Sequence, residues 1–150
     1  MRSPIYKATE ADAASIAELE EQSFHTPWPF KAIQDEFKEN PFSNIYLIKD
    51  EDKLIGYIDF MITFSSATIS RIAVHPEYRR LGIGKELLLK MEEVCSQEIE
   101  PVEFLTLEVR KSNETAIRLY ERVGYQVVKV KKAYYDDGED AIYMIRSVVK

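Results

Sequence analysis

One cysteine, one tryptophan, two histidines and five glycines in 150 residues leave several chemistries without material. A lone thiol cannot build a disulfide framework or a Cys-rich zinc site, and it fits a reducing, cytoplasmic setting. His25 and His75 have no carboxylate or cysteine at ligand spacing, so no metal site is expected. No apolar run approaches the roughly 20 residues that span a bilayer, so no membrane association is expected. Met1-Arg2-Ser3-Pro4-Ile5-Tyr6-Lys7 carries no apolar signal segment, which argues against export. Basic residues are outnumbered, 20 against 26 acidic, leaving a net charge of -6. Direct nucleic-acid binding needs a basic face and is not expected. Linker-like stretches and internal repeats are also missing. What remains is globular material, 45% hydrophobic with seven Phe and nine Tyr, enough for a single domain over 1–150 without a metal or disulfide staple.

The hydrophobic period changes along the chain. Ile5 to Ala8 reads as a short strand. Thr9 followed by Asp12 is a helix start, and Ala13, Ile16, Ala17 and Glu20 share one face of a helix to about Ser23. Thr26-Pro27-Trp28-Pro29 breaks it. Phe30, Ile33, Gln34 and Phe37 continue at helical spacing until Asn40-Pro41. Asn44–Ile48, Leu54–Ile62 and Ala67–Val74 then read as a three-stranded meander. Leu87, Leu88, Met91, Val94 and Cys95 mark a helix face, which makes Cys95 a core residue. Phe104–Val109 is a strand, and Ala116, Ile117, Tyr120 and Val123 mark a helix closed by Gly124. Two strands follow, Tyr125 to about Tyr134 and Ala141 to about Val148. The order is β-α-α-β-β-β-α-β-α-β-β, a mixed α/β sheet flanked by helices.

Arg79-Arg80-Leu81-Gly82-Ile83-Gly84-Lys85 lies between a strand and a helix. Glycine permits positive φ and close backbone approach. Several N–H groups can then converge at a helix N-terminus, where the dipole favours an anion. Arg79, Arg80 and Lys85 add positive charge, and a pyrophosphate suits such a nest. The segment matches neither the Walker A pattern nor the dinucleotide fingerprint.

Arg79-x-x-Gly82-x-Gly84, after Ile72-Ala73-Val74-His75-Pro76-Glu77-Tyr78, resembles the acyl-CoA signature of the GCN5-related N-acetyltransferases (GNAT). Asn113-x-x-Ala116-x-x-Leu119-Tyr120-x-x-x-Gly124-Tyr125 resembles that family's second motif, and the element order is the family's order. Within the family, Leu107-Glu108-Val109-Arg110, Asn113, Leu119-Tyr120-Glu121, Tyr134-Tyr135 and Asp137-Gly138-Glu139-Asp140-Ala141 are similar to bacterial ribosomal-protein alanine N-acetyltransferases, as is Phe24-x-x-Pro27-Trp28. Asp136 directly after the Tyr pair, with a shorter hairpin, departs from their pattern.

The resemblance implies a splayed central sheet and acetyl-CoA as the acetyl donor. It implies CoA contacts from Ile72, Ala73, Val74, Arg79, Arg80, Leu81, Gly82, Ile83, Gly84, Lys85, Asn113 and Tyr120. It also implies Glu108 as the base for the acceptor amine and Tyr120 as the acid for the departing thiolate. The acceptor it implies is the N-terminal peptide of a ribosomal protein, with Trp28, Tyr134 and Tyr135 walling the groove; a small amine or a lysine side chain is the other candidate acceptor. A non-catalytic acyl-CoA-binding sensor is the alternative to an enzyme, and Glu108 and Tyr120 argue against it. A monomer or weak dimer is expected. Residue by residue, alternatives stay open. Glu108 could face solvent in a salt link with Arg110 or Lys111, Tyr120 could be a packed aromatic with a satisfied hydroxyl, and Trp28 could simply pack. His75 reads as a strand terminator. Asp136, Asp137, Glu139 and Asp140 are expected to attract a basic peptide by complementary charge.

Overall fold

The structure is a computed structural model and describes residues 1–148. Seven strands form one sheet in the order β1-β2-β3-β4-β5-β7-β6: β1 Tyr6–Lys7, β2 Ser43–Asp50, β3 Lys53–Thr63, β4 Ser66–Val74, β5 Phe104–Arg110, β6 Gln126–Lys131 and β7 Ala141–Ser147. All neighbours are antiparallel except β4 and β5, which run parallel. Helices α1 (Ala13–Ser23) and α2 (Phe30–Glu39) cover one face of the sheet, and α3 (Ile83–Ser96) and α4 (Glu114–Val123) the other.

Two buried clusters hold these layers together. Under α3 and α4 lie Ile55, Ile58, Phe60, Leu87, Met91, Leu105, Leu107 and Met144. Under α1 and α2 lie Ala13, Ile16, Leu19, Ile33, Leu47 and Tyr57. Removing such side chains from water contributes about 1.5–3 kcal/mol each. Cys95 belongs to the first cluster, and burial pushes its thiol up to about 12.

Some element ends differ from the sequence reading. Before α1 the chain makes a 3-10 turn, Glu10–Asp12, and the Thr9 N–H donates to Asp12 Oδ2 at 2.9 Å. The sixth strand ends at Lys131, not near Tyr134. Ala133 takes φ 49°, and its N–H donates to Asp140 Oδ1 at 2.9 Å, so the chain turns out of the ladder there. Tyr134 and Tyr135 therefore sit in the connection between β6 and β7. No helix among the described residues is long and apolar enough to cross a membrane.

Candidate active site

β4 and β5 pair only through Ser66, Ala67 and Thr68 opposite Phe104, Leu105 and Thr106. Beyond Thr68 the two strands part, leaving a wedge in the middle of the sheet. Buried backbone polar groups need partners, so this bare edge of β4 is a place for a ligand's amides. Ile72, Ala73 and Val74 lie on that stretch, with Ala73 packed toward α1 and α2 and its two neighbours toward α3 and α4.

The chain leaves β4 through His75, whose N–H bonds the Ile55 carbonyl at 2.8 Å and whose Nδ1 accepts from the Glu77 N–H at 3.1 Å. His75 thus ends the strand and caps a 3-10 turn, as its place before Pro76 suggested. Arg80 (φ 66°) and Gly82 (φ 81°) then take left-handed conformations that aim the backbone into α3. Gly82 is the residue before the helix, and its carbonyl takes the Glu86 N–H at 3.0 Å. The N–H groups of Ile83, Gly84 and Lys85 have no acceptor within the helix, which suits this end to an anion. Arg79 reaches back to the Val74 carbonyl at 3.3 Å. The exposed side chains of Arg79, Arg80 and Leu81 surround the turn.

The two glycines do different work. A Cβ on Gly82 would meet nothing, so its positive φ is the constraint. A Cβ on Gly84 would lie 2.8 Å from Leu119 Cδ2, so that glycine lets α4 close on α3. Ile83 is buried in the core, leaving only its backbone for a ligand. These features fit a pyrophosphate-bearing thioester substrate such as acetyl-CoA.

Asn113 starts α4, its Oδ1 accepting the Ala116 N–H at 3.3 Å. Two turns on, Tyr120 packs edge-on against Tyr125 with ring centroids 6.0 Å apart. The Tyr120 ring packs in the core, and its hydroxyl, unlike that of Tyr125, is not sealed from solvent without a partner. Burial pushes its pKa well above the ordinary phenol value, which keeps the proton on across the neutral range.

Glu108 lies on β5 two residues beyond the last β4 pair, opposite Tyr143 of β7. Its carboxylate accepts from Lys131 Nζ at 2.8 Å and from the Tyr134 hydroxyl at 3.2 Å. Among the described residues Glu108 makes no salt link to Arg110 or Lys111: Arg110 shares its face of the strand but is held by Asp137 and Glu139. The Lys131 ammonium also lies 4.8 Å from the Tyr143 ring centroid and 5.3 Å from that of Tyr134. Its hydrogen bond to Glu108 holds its pKa above the usual lysine value.

Arg110 binds Asp137 and Glu139, each at 2.9 Å, and stacks over Tyr135 with 4.1 Å from Cζ to the ring centroid. Asp140 bonds Lys132 and the Ala133 N–H. The acids expected to attract a basic peptide are therefore mostly committed within the chain. Asp137, Glu139 and Asp140 all sit below their ordinary carboxylate values, chiefly through backbone or side-chain hydrogen bonds. They brace the β6–β7 connection.

The segment between α1 and α2 packs against Arg71 of β4. Trp28 is partly buried against the second cluster, beneath the Arg71 guanidinium. Arg71 is held by Glu20, which the sequence reading placed on a helix face and did not assign to the site. The signal was there: a carboxylate among Ala13, Ile16 and Ala17 on a buried stripe demands a partner. Tyr57, whose hydroxyl also binds Glu20, was read only as a strand residue.

The sequence profile described as acetyltransferase (GNAT) family matches residues 13–125. A Bacillus subtilis (strain 168) protein, provisionally named ribosomal protein bS18-alanine N-acetyltransferase, is 37% identical over 134 residues, 89% of this chain and 87% of its own. The crystal structure of the ribosomal-protein alanine N-acetyltransferase from Escherichia coli superposes with a TM-score of 0.88 at 28% identity, covering 100% of this chain and 96% of that one. Arabidopsis thaliana NAA60, solved with acetyl-CoA, shares the fold with a TM-score of 0.87 at 17% identity over 99% of both chains.

Proposed function

The chain belongs to the acetyltransferase (GNAT) family, and we propose that it transfers the acetyl group of acetyl-CoA to the N-terminal alanine of a ribosomal protein. That it is an N-acetyltransferase follows from the family and its named relatives. The acceptor is carried by one observation above the others: the Glu108 carboxylate, with Tyr134 on it, in the opening between β4 and β5.

An α-amine has a pKa of about 7.7–8.0, so much of it is protonated at neutral pH and cannot attack. Glu108 takes that proton, directly or through a water. The acceptor's ammonium replaces Lys131 on the carboxylate, one cation exchanged for another. The free amine attacks the thioester carbonyl, and the oxyanion is stabilised by a backbone N–H on the bare edge of β4 near Val74. A preorganised donor of this kind is worth a few kcal/mol. The intermediate collapses and the C–S bond breaks; the thiolate takes the proton from the Tyr120 hydroxyl. The surplus proton on the new amide nitrogen passes through water to the Tyr120 oxygen, restoring the phenol, while Glu108 gives its own proton to solvent. The N–H groups at the start of α3, with Arg79, Arg80 and Lys85, hold the pyrophosphate, and Asn113 lies along the CoA arm.

The test is thiol release from acetyl-CoA with peptides beginning in alanine, the same peptides with a blocked α-amine, and polyamines. Acetylation of the free alanine terminus alone, located by tandem mass spectrometry, supports the reading. Turnover with polyamines but not with peptides would replace it by a small-amine acceptor.

A further inference from the structure

Glu20 takes no part in the transfer chemistry, yet it is completely removed from solvent. It accepts from Arg71 Nε at 3.1 Å, Arg71 Nη2 at 2.6 Å, the Tyr57 hydroxyl and the Trp28 N–H at 2.8 Å. Arg71 in turn donates to the Thr26 carbonyl at 3.3 Å. Its Cζ lies 4.1 Å from the Phe24 ring centroid and 5.1 Å from that of Trp28. Apart from Tyr57, every group the pair holds belongs to residues 24–28, which form no helix or strand. Pro27 and Pro29 supply no N–H there, so side-chain bonds must fix the path.

Arg71 sits on β4 in the stretch that has parted from β5, facing α1. It ties the strand that borders the wedge to the segment between α1 and α2. A buried ion pair gives little net stability compared with apolar residues of similar volume, so stability alone does not explain it. A planar guanidinium between two aromatic rings and a bidentate carboxylate does fix geometry.

We propose that Glu20 and Arg71 are positioning residues that clamp residues 24–28 as one wall of the acceptor groove, setting acceptor binding and leaving the chemical step alone. The acceptor part rests on the proposed function above. The clamp itself is read separately, because Trp28 is the only tryptophan and its emission reports on this segment alone.

Removing one partner leaves a buried charge and endangers the fold, so the decisive variant is the double substitution Glu20→Leu/Arg71→Met. Its tryptophan emission should shift to longer wavelength and become more open to acrylamide. The KM for an alanine-initiated peptide should rise about tenfold, with kcat and the KM for acetyl-CoA within about twofold of the parent. Arg71→Lys, which keeps the charge but not the fork, should fall between the two. Unchanged emission and quenching would overturn the clamp. A freed Trp28 with the parent's acceptor KM would overturn its role as a wall. If the parent itself ignores the peptide, the acceptor reading fails while the emission still decides the clamp.

Discussion

The two sides of the wedge are built by different means. The side formed by β4, the Arg79–Lys85 turn and α3 presents backbone: a bare strand edge, positive φ at Arg80 and Gly82, and N–H groups at a helix start. The side formed by residues 24–28 and the β6–β7 connection presents side chains locked by ion pairs, Glu20 with Arg71, Glu108 with Lys131, and Arg110 with Asp137 and Glu139. A backbone site holds a ligand common to a whole family. A side-chain site can change with the acceptor while the first stays fixed.

If that division is right, the heaviest loss comes from the backbone side. Gly82→Asp puts a side chain at φ 81° and a carboxylate among unpaired N–H groups. Calorimetry should find acetyl-CoA binding abolished while circular dichroism keeps the fold. Unchanged affinity would remove the turn from the site.

Tyr120→Phe tests whether α4 adds chemistry to that backbone side. It should lower kcat by about a hundredfold, the scale of a positioned proton donor, and leave acetyl-CoA affinity alone. Loss of affinity instead would make Tyr120 a packing residue.

Stability should respond to pH through a carboxyl buried on β3. Asp59, on β3, is wholly buried; Oδ1 takes the Ser43 hydroxyl at 2.7 Å and Oδ2 has no partner among the described residues. Burial first, then Glu36 of α2, raises its pKa to about 9. The folded state therefore keeps a proton that the unfolded chain gives up near pH 4. This contribution is complete below that pH and is lost progressively as pH rises to about 9. Asp59→Asn should remove it, so the variant's advantage in urea melts grows with pH, by at most about 1.4 kcal/mol per unit. Parallel stability curves for parent and variant would refute this.

The smallest effect belongs to the β6–β7 connection. Asp137→Asn loosens one of two acids on a half-buried arginine, so Tm should fall slightly. The ratio of rates on basic and acidic peptides should stay as in the parent. A narrowed ratio would restore the acids as a peptide-attracting patch.

The backbone side was legible in the sequence because its signals are local. Gly82 and Gly84 two apart before a helix, Pro76 after a strand, Asn113 three before Ala116 and Gly124 after α4 each impose a conformation on their own neighbourhood. The acceptor side was not, because its partners meet only through the sheet. Arg71 and Glu20 lie 51 positions apart, and Lys131 and Glu108 lie 23 apart. No spacing rule announces such pairs. Lys131 was passed over as a strand residue, and Glu108 was offered Arg110 because Arg110 is near in sequence. The strand through Tyr134 was overextended for the same reason: Ala133 gives no turn signal, and its φ of 49° is imposed by Asp140, seven residues on.

The pH dependence of Glu108→Gln tests the central claim most directly. With an alanine-initiated peptide, kcat/KM should fall about a hundredfold near pH 7, where the α-amine is mostly protonated, and recover much of that by about pH 9. The affinity for acetyl-CoA should not change. A variant whose pH–rate profile superimposes on the parent's would contradict the account.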